Sequence, residues 1–291
     1  AMHRDVNNMV ADAAGNGREL LTSPNNYPAG IDVDPRTGKV YYTLAGAGDI
    51  RRCDLDGGDN VLLNGDAGTH VRGIGLDVAD NKMYWIAGHP ANDSVMQVLR
   101  ANLNGSGKTD LYEPADGTNE LTGISLDLTS DIVYWADFGS RTNYTDGVIG
   151  YGSLDGSTAA VVTEVGGDPR GVAVDPVGGK VYWTDFAQGG NGAIYRANLD
   201  FTDVTPLITN RTGPYAVTLD LEAGKIYWSD GSLGGSMYRA DLADGGNIET
   251  LVTNVGARPS AIALVHDNLP AGWTAEDVGT ATRGGFTIHD P

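Results

Sequence analysis

Gly171-Val172-Ala173-Val174-Asp175-Pro176-Val177-Gly178-Gly179-Lys180-Val181-Tyr182-Trp183-Thr184-Asp185 reads as a short apolar strand, a tight turn and an aromatic strand. Asp, Pro and Gly punctuate it, each favouring turn geometry for its own reason. Copies recur along the chain. A small residue opening one strand and an aromatic in the next form the pairs Gly30/Tyr42, Gly73/Trp85, Gly123/Trp135, Gly171/Trp183 and Ala216/Trp228, each 12 positions apart. A degenerate sixth pair, Ala261/Trp273, keeps the spacing, and successive starts fall 43 to 50 residues apart. That period is the one expected of four-stranded propeller blades. Third and fourth strands follow in each unit, as at Ala193–Ala197 and Pro206–Thr209, and the first two strands are apolar on both faces, as blades sandwiched between blades require.

The expected fold is all-β, a six-bladed β-propeller spanning residues 1–274. Asn8–Asp12 and Arg18–Thr22 match the outer strands of a unit, and the last copy has only its first two strands. The closing blade is therefore shared between N-terminal and C-terminal strands, which hides sheet edges. Residues 275–291 read either as an extra strand on that blade, with Phe286-Thr287-Ile288 as its core, or as the start of a following module, the reading preferred.

Composition excludes several partners. The 291 residues carry a formal net charge of −19, which repels phosphate backbones and anionic lipid, so neither nucleic acid nor membrane insertion is expected. No apolar run is long enough to span a bilayer. The lone cysteine, Cys53, rules out an internal disulfide and reads as a small buried hydrophobe. The opening Ala1-Met2-His3-Arg4-Asp5 has no apolar signal-peptide segment and reads as a truncated start, so it does not argue for the cytoplasm.

Tyr182-Trp183-Thr184-Asp185, Tyr134-Trp135-Ala136-Asp137 and Tyr227-Trp228-Ser229-Asp230 resemble the YWTD repeats of the LDL-receptor class B family. The resemblance covers roughly residues 8–274 and includes the strand-ending aspartates Asp34, Asp77, Asp127, Asp175 and Asp220. It implies a YWTD/TolB-like propeller used for protein binding rather than catalysis, in an extracellular, secreted or cell-surface protein, as a monomeric domain of a larger chain. It also implies that Tyr134, Trp135, Asp137, Tyr182, Trp183, Asp185, Tyr227, Trp228 and Asp230 are structural. Tyr41-Tyr42-Thr43-Leu44 and Tyr84-Trp85-Ile86-Ala87 lack the motif aspartate, and Val265 replaces the last strand-ending one. A cysteine-rich neighbour is missing, which points to a prokaryotic secreted relative.

Candidate chemistry is sparse. His3, His70, His89, His266 and His289 show no metal-ligand spacing, and no nucleophile elbow, phosphate loop or dinucleotide fingerprint occurs. No cofactor is expected. The acidic turns Asp54–Asp59 and Asp116–Glu120 are weak calcium candidates, lacking the 12-residue loop with a terminal Glu.

The residue just before each inner strand should line one mouth of the central channel. Those residues are Ala29, Arg72, Thr122, Arg170, Tyr215 and Ser260, with His70, Asp168 and Arg258 on the same connections, and long loops at Gly88–Ser94 and Phe138–Gly147 opening nearby. Arg72, Arg170, Tyr215, Arg258, His70 and Asp168 are the candidate ligand-binding set, suited to a protein or glycan ligand bearing acidic groups. The bland alternative is that each arginine pairs with a local acid such as Asp168. Alanine at Arg72 and Arg170 is expected to weaken capture with little loss of thermal stability. A channel enzyme of lactonase, lyase or strictosidine-synthase-like type is the alternative function, disfavoured because Ala, Thr and Ser occupy three of six mouth positions. A ligand-free scaffold module is the third.

Overall fold

Successive side chains of a strand point to opposite faces, and the Tyr-Trp dipeptide uses both. In the computed structural model, which describes residues 8–12, 19–22, 27–89, 92–113, 120–139, 145–158, 161–187, 190–231, 235–253, 259–265 and 285–289, each tyrosine packs toward the following blade and each tryptophan toward the preceding one.

Two strands come first, β1 (Asn8–Asp12) and β2 (Glu19–Thr22). Blade one is β3 (Pro28–Asp34), β4 (Lys39–Leu44), β5 (Asp49–Cys53) and β6 (Val61–Asn64). Blade two is β7 (Ile74–Asp77), β8 (Lys82–His89), β9 (Asn92–Asn102) and β10 (Thr109–Tyr112). Blade three is β11 (Leu121–Asp127), β12 (Ile132–Asp137), β13 (Val148–Ser153) and β14 (Val161–Glu164). Blade four is β15 (Pro169–Asp175), β16 (Lys180–Asp185), β17 (Gly192–Asn198) and β18 (Thr205–Arg211). Blade five is β19 (Pro214–Asp220), β20 (Lys225–Asp230), β21 (Ser236–Asp241) and β22 (Glu249–Thr253), and β23 (Ala261–Val265) and β24 (Gly285–His289) end the chain.

Five sheets are thus continuous antiparallel blades, which corrects the expectation of six blades. The remaining sheet is composite, in the order β2-β1-β24-β23. The place beside β23 expected for the strand of Trp273 is taken by β24, which runs parallel to both β23 and β1. Trp273 itself lies outside the described residues. Leu264 of β23 pairs with Ile288, and Val10 of β1 with Thr287, so the segment around Phe286 belongs to this sheet. A second correction concerns Gly88–Ser94, expected as a long loop: β8 runs to His89 and β9 starts at Asn92, these two residues being paired.

The core lies between blades. Tyr41 of blade one packs with Trp85 of blade two, Tyr84 with Trp135, Tyr134 with Trp183, and Tyr182 with Trp228. Tyr42 and Tyr227 face the composite sheet through Ala263 and Ile262. The four tryptophans Trp85, Trp135, Trp183 and Trp228 are fully buried. Three of them stack on a neighbouring tyrosine, Trp135 on Tyr112, Trp183 on Tyr195 and Trp228 on Tyr238, with centroids 5.3, 5.6 and 5.4 Å apart.

At the channel the blades are joined by hydrogen bonds. Thr43 Oγ1 donates to the Arg72 carbonyl, Thr184 Oγ1 to Tyr215 and Ser229 Oγ to Pro259, at 2.7 to 2.8 Å. Each of these hydroxyls also accepts the N–H of the small residue opening its own inner strand, Gly30, Gly171 or Ala216. This is what the third motif position does. Blades two and three carry Ile86 and Ala136 there and make the junction otherwise. Gly73 N–H donates to the Thr122 carbonyl, and the Thr122 hydroxyl to the Arg170 carbonyl. Ser260 Oγ, donating to the Pro28 carbonyl at 3.1 Å, closes the circuit through the composite sheet. A Cβ on Gly171 would lie 2.5 Å from the Tyr215 carbonyl oxygen, so glycine opens that strand because the next blade's backbone is already there.

The strand-ending aspartates cap turns. Asp77 Oδ1 accepts the Asp80 N–H, Asp127 Oδ1 those of Thr129 and Ser130, Asp175 Oδ1 that of Gly178, and Asp220 Oδ1 that of Ala223. Cys53 is fully buried, and burial, helped by the charges of Asp54 and Asp56, pushes its thiol up to about 12.

Candidate functional site at the channel mouth

Ala29, Arg72, Thr122, Arg170, Tyr215 and Ser260 all line one cavity of about 140 Å³ at the start of the inner strands. Register explains the convergence. On blades three and four the connection into the inner strand is anchored on the motif aspartate, Glu120 N–H donating to Asp137 and Asp168 N–H to Asp185, and the residue before the small one lies at the rim.

Arg170 dominates the mouth and is nearly buried. Its Nε lies 2.5 Å from Asp168 Oδ1, and its Nη2 donates to Asp168 Oδ2 at 3.0 Å. Asp168 is fully buried, and its backbone N–H donates to the motif carboxylate of Asp185. The guanidinium carbon sits 3.5 Å from the centre of the Phe138 ring, 5.4 Å from Phe186 and 5.8 Å from Tyr215. Blades three, four and five thus meet around one cation held by a carboxylate and aromatic faces, a favourable arrangement for a planar, delocalised charge. Tyr215 is half-buried and meets Phe186 edge-on.

Arg72 is freer, with a quarter of its side chain exposed, and pairs with Glu120 at 3.4 Å. The Glu120 N–H donates to Asp137, so Glu120 repeats on blade three what Asp168 does on blade four. Local pairing is therefore the resting state of both arginines, and the burial of Arg170 against Asp168 argues against little loss of stability on its removal. His70 is exposed, two residues before Arg72, with φ of 47°. Arg258 lies outside the described residues. Three residues were not expected from the sequence to contact the arginines: Phe138, Phe186 and Glu120. Phe occupying the slot right after the motif aspartate in two successive blades was the available signal, as was an acid at Glu120 in the position equivalent to Asp168.

The acidic turn at Asp54–Asp59 is already served by a cation: Lys39 Nζ lies 2.6 Å from Asp54 and 2.9 Å from Asp59. Most of Asp116–Glu120 lies outside the described residues. Among the described residues, no group of three His, Cys, Asp or Glu side chains converges as a metal site would require, and no helix is long and apolar enough to cross a membrane.

A channel ringed by inner strands, blades locked by Tyr-Trp packing and a rim of strand-start residues define a β-propeller. The low-density lipoprotein receptor class B repeat is present in the chain: the sequence model of that family matches residues 224–266, across the Tyr227-Trp228-Ser229-Asp230 copy. The chain is 27% identical over 190 residues to low-density lipoprotein receptor-related protein 1 of Pyricularia oryzae, covering 58% of this chain and 60% of that relative. It therefore spans less than two thirds of that relative's length. Its fold is similar to a chain in the crystal structure of a nidogen/laminin complex, with a TM-score of 0.67, 20% identity and coverage of 82% of this chain and 84% of the other. It is also similar in fold to virginiamycin B lyase from Staphylococcus aureus, with a TM-score of 0.57, 20% identity and coverage of 83% and 76%.

Proposed function

We propose that the chain is a non-catalytic binding module of an extracellular or cell-surface protein, presenting the arginine mouth to a protein ligand that offers an acidic side chain. The composite sheet serves as the sixth, closing blade of that module. The carrying observation is the convergence of Arg72, Arg170 and Tyr215 on one small cavity in a protein of net charge −19. Repulsion from the rest of the surface makes a local cationic rim a strong discriminator of where an anionic group can settle. Arg170, neutralised by Asp168, supplies a rigid wall packed on an aromatic floor. Arg72, partly exposed and held by a long contact to Glu120 among the described residues, is the group that can turn to a ligand carboxylate in bidentate fashion. Similarity to a receptor-related protein supports a binding role in a larger surface chain. The six rim positions carry no carboxylate of their own, and the nearby Asp168 and Glu120 carboxylates are paired with Arg170 and Arg72, which favours capture over channel chemistry.

The test is an array of short peptides with one central Asp or Glu, each paired with its Asn or Gln counterpart. The chain is expected to retain the acidic member of a pair, and Arg72→Ala to abolish the preference. Equal retention of acid and amide, or a preference untouched by Arg72→Ala, overturns the assignment.

A further inference from the structure

The channel has a second mouth. At the far ends of the inner strands a separate cavity of about 310 Å³ opens. Both cavities are walled by Ile31, Ile74, Ile124, Val172, Val217 and Ile262, one from each inner strand, so an apolar collar divides the channel. One position further along, the ring alternates in chemistry: Asp32, Gly75, Ser125, Ala173, Thr218 and Ala263. Oxygen-bearing side chains come from blades one, three and five, and Gly or Ala stands between them. Asp32 is the charged residue among those lining the cavity. Its Oδ1 accepts the Val33 N–H and its Oδ2 the Leu76 N–H of the next blade, both at 2.8 Å. A carboxylate has about four lone-pair positions, so after these two bonds accepting capacity remains.

We propose that this vestibule is a binding site for a primary alkylammonium group, whether of a free amine or of a lysine side chain. Such a group has three N–H donors around its C–N axis, and the ring offers three oxygen-bearing side chains at alternate blades. Its alkyl stem would lie against the collar and against Leu76, Leu126 and Leu219, which also line the cavity. Asp32 compensates the buried positive charge. A calcium ion would need about six to eight oxygens, more than these side chains supply, and an anion would be repelled by Asp32. The site is distinct from the arginine mouth and does not depend on the function proposed for it.

The test is an NMR titration of the whole ¹⁵N-labelled chain with n-butylammonium chloride, reading the Leu76, Ser125 and Thr218 amides. Saturable shifts are expected there, absent with 1-butanol or potassium chloride at equal concentration. Affinity should fall at least tenfold in Asp32→Asn, which keeps the side-chain shape. Should that variant not fold, the Ser125→Ala/Thr218→Val double variant is expected to show a comparable loss. A parallel titration uses lysine blocked at its α-amino and carboxyl groups. Binding of blocked lysine alone identifies a partner's side chain as the source, and binding of butylammonium alone a free amine. No shift with either probe, equal shifts with potassium, or undiminished affinity in the folded variants overturns the proposal.

Discussion

The Thr184 hydroxyl donates a 2.7 Å hydrogen bond to the Tyr215 carbonyl, joining blades four and five beside the channel while it accepts the Gly171 N–H at 2.8 Å. Thr184 is fully buried. Thr184→Val keeps the shape and leaves a buried donor and a buried acceptor without a partner. A loss of about 2 kcal/mol is expected in urea unfolding. Thr184→Ser retains the oxygen and loses only a buried methyl group, so it should cost about 1 kcal/mol, less than the valine variant.

Trp183 sits between blades three and four, stacked on Tyr195 and packed with Tyr134. Trp183→Ala opens a cavity at that interface and is expected to cost about 3–5 kcal/mol. Val177, 94% exposed on the turn that follows Asp175, is the control. Val177→Ser should change stability by no more than about 0.5 kcal/mol.

Arg170 and Arg72 should separate in stability even though both line the mouth. Arg170→Ala removes the arginine paired with the fully buried Asp168 carboxylate, so a loss of about 3–5 kcal/mol is expected. Arg72→Ala removes a partly exposed pair and should cost about 1 kcal/mol or less. Thermal melts of the two variants side by side decide this, and they justify using Arg72 rather than Arg170 in binding experiments.

Asp32 makes a pH prediction. Burial, opposed by the Val33 and Leu76 N–H groups and reinforced by the charge of Asp34, pushes its carboxyl up to about 6 from 3.8. The folded chain therefore holds this proton more tightly than the unfolded chain between those values. Ionised Asp32 costs stability above pH 6, and that cost is relieved as the pH falls through 6 toward 4. The parent should gain stability relative to Asp32→Asn over that range. A ¹³C titration of the Asp32 carboxyl should show a midpoint near 6, and a midpoint near 4 would contradict the burial argument.

The repeat was legible because packing demands it. Glycine is required where Tyr215 O approaches Gly171, and a large aromatic is required between blades, so both recur at fixed spacing whatever the protein binds. The junction hydroxyl was harder to read, because Thr122 and Ser260 supply it from the inner strand where Ala136 stands or the motif is lost. The closing sheet was less legible, since the spacing could not reveal that β24 enters beside β23 in parallel. Convergence of Arg72 and Arg170 followed from blade geometry. Their partners did not, because Glu120 and Phe138 reach the mouth from connections whose course depends on the tertiary fold. Asp32 was passed over beside the turn-capping Asp34, although an acid on an inner strand whose counterparts are Gly, Ser, Ala and Thr is an anomaly visible in the alignment of repeats.

The most direct test of the arginine mouth as the binding face is an amide NMR map of the chain with a capped Ala-Glu-Ala peptide. The account predicts shifts confined to the neighbourhood of His70, Arg72, Thr122 and Tyr215, absent when Gln replaces Glu. Shifts centred instead on the turns at Leu128, Val177 and Leu221, at the opposite end of the inner strands, would contradict it.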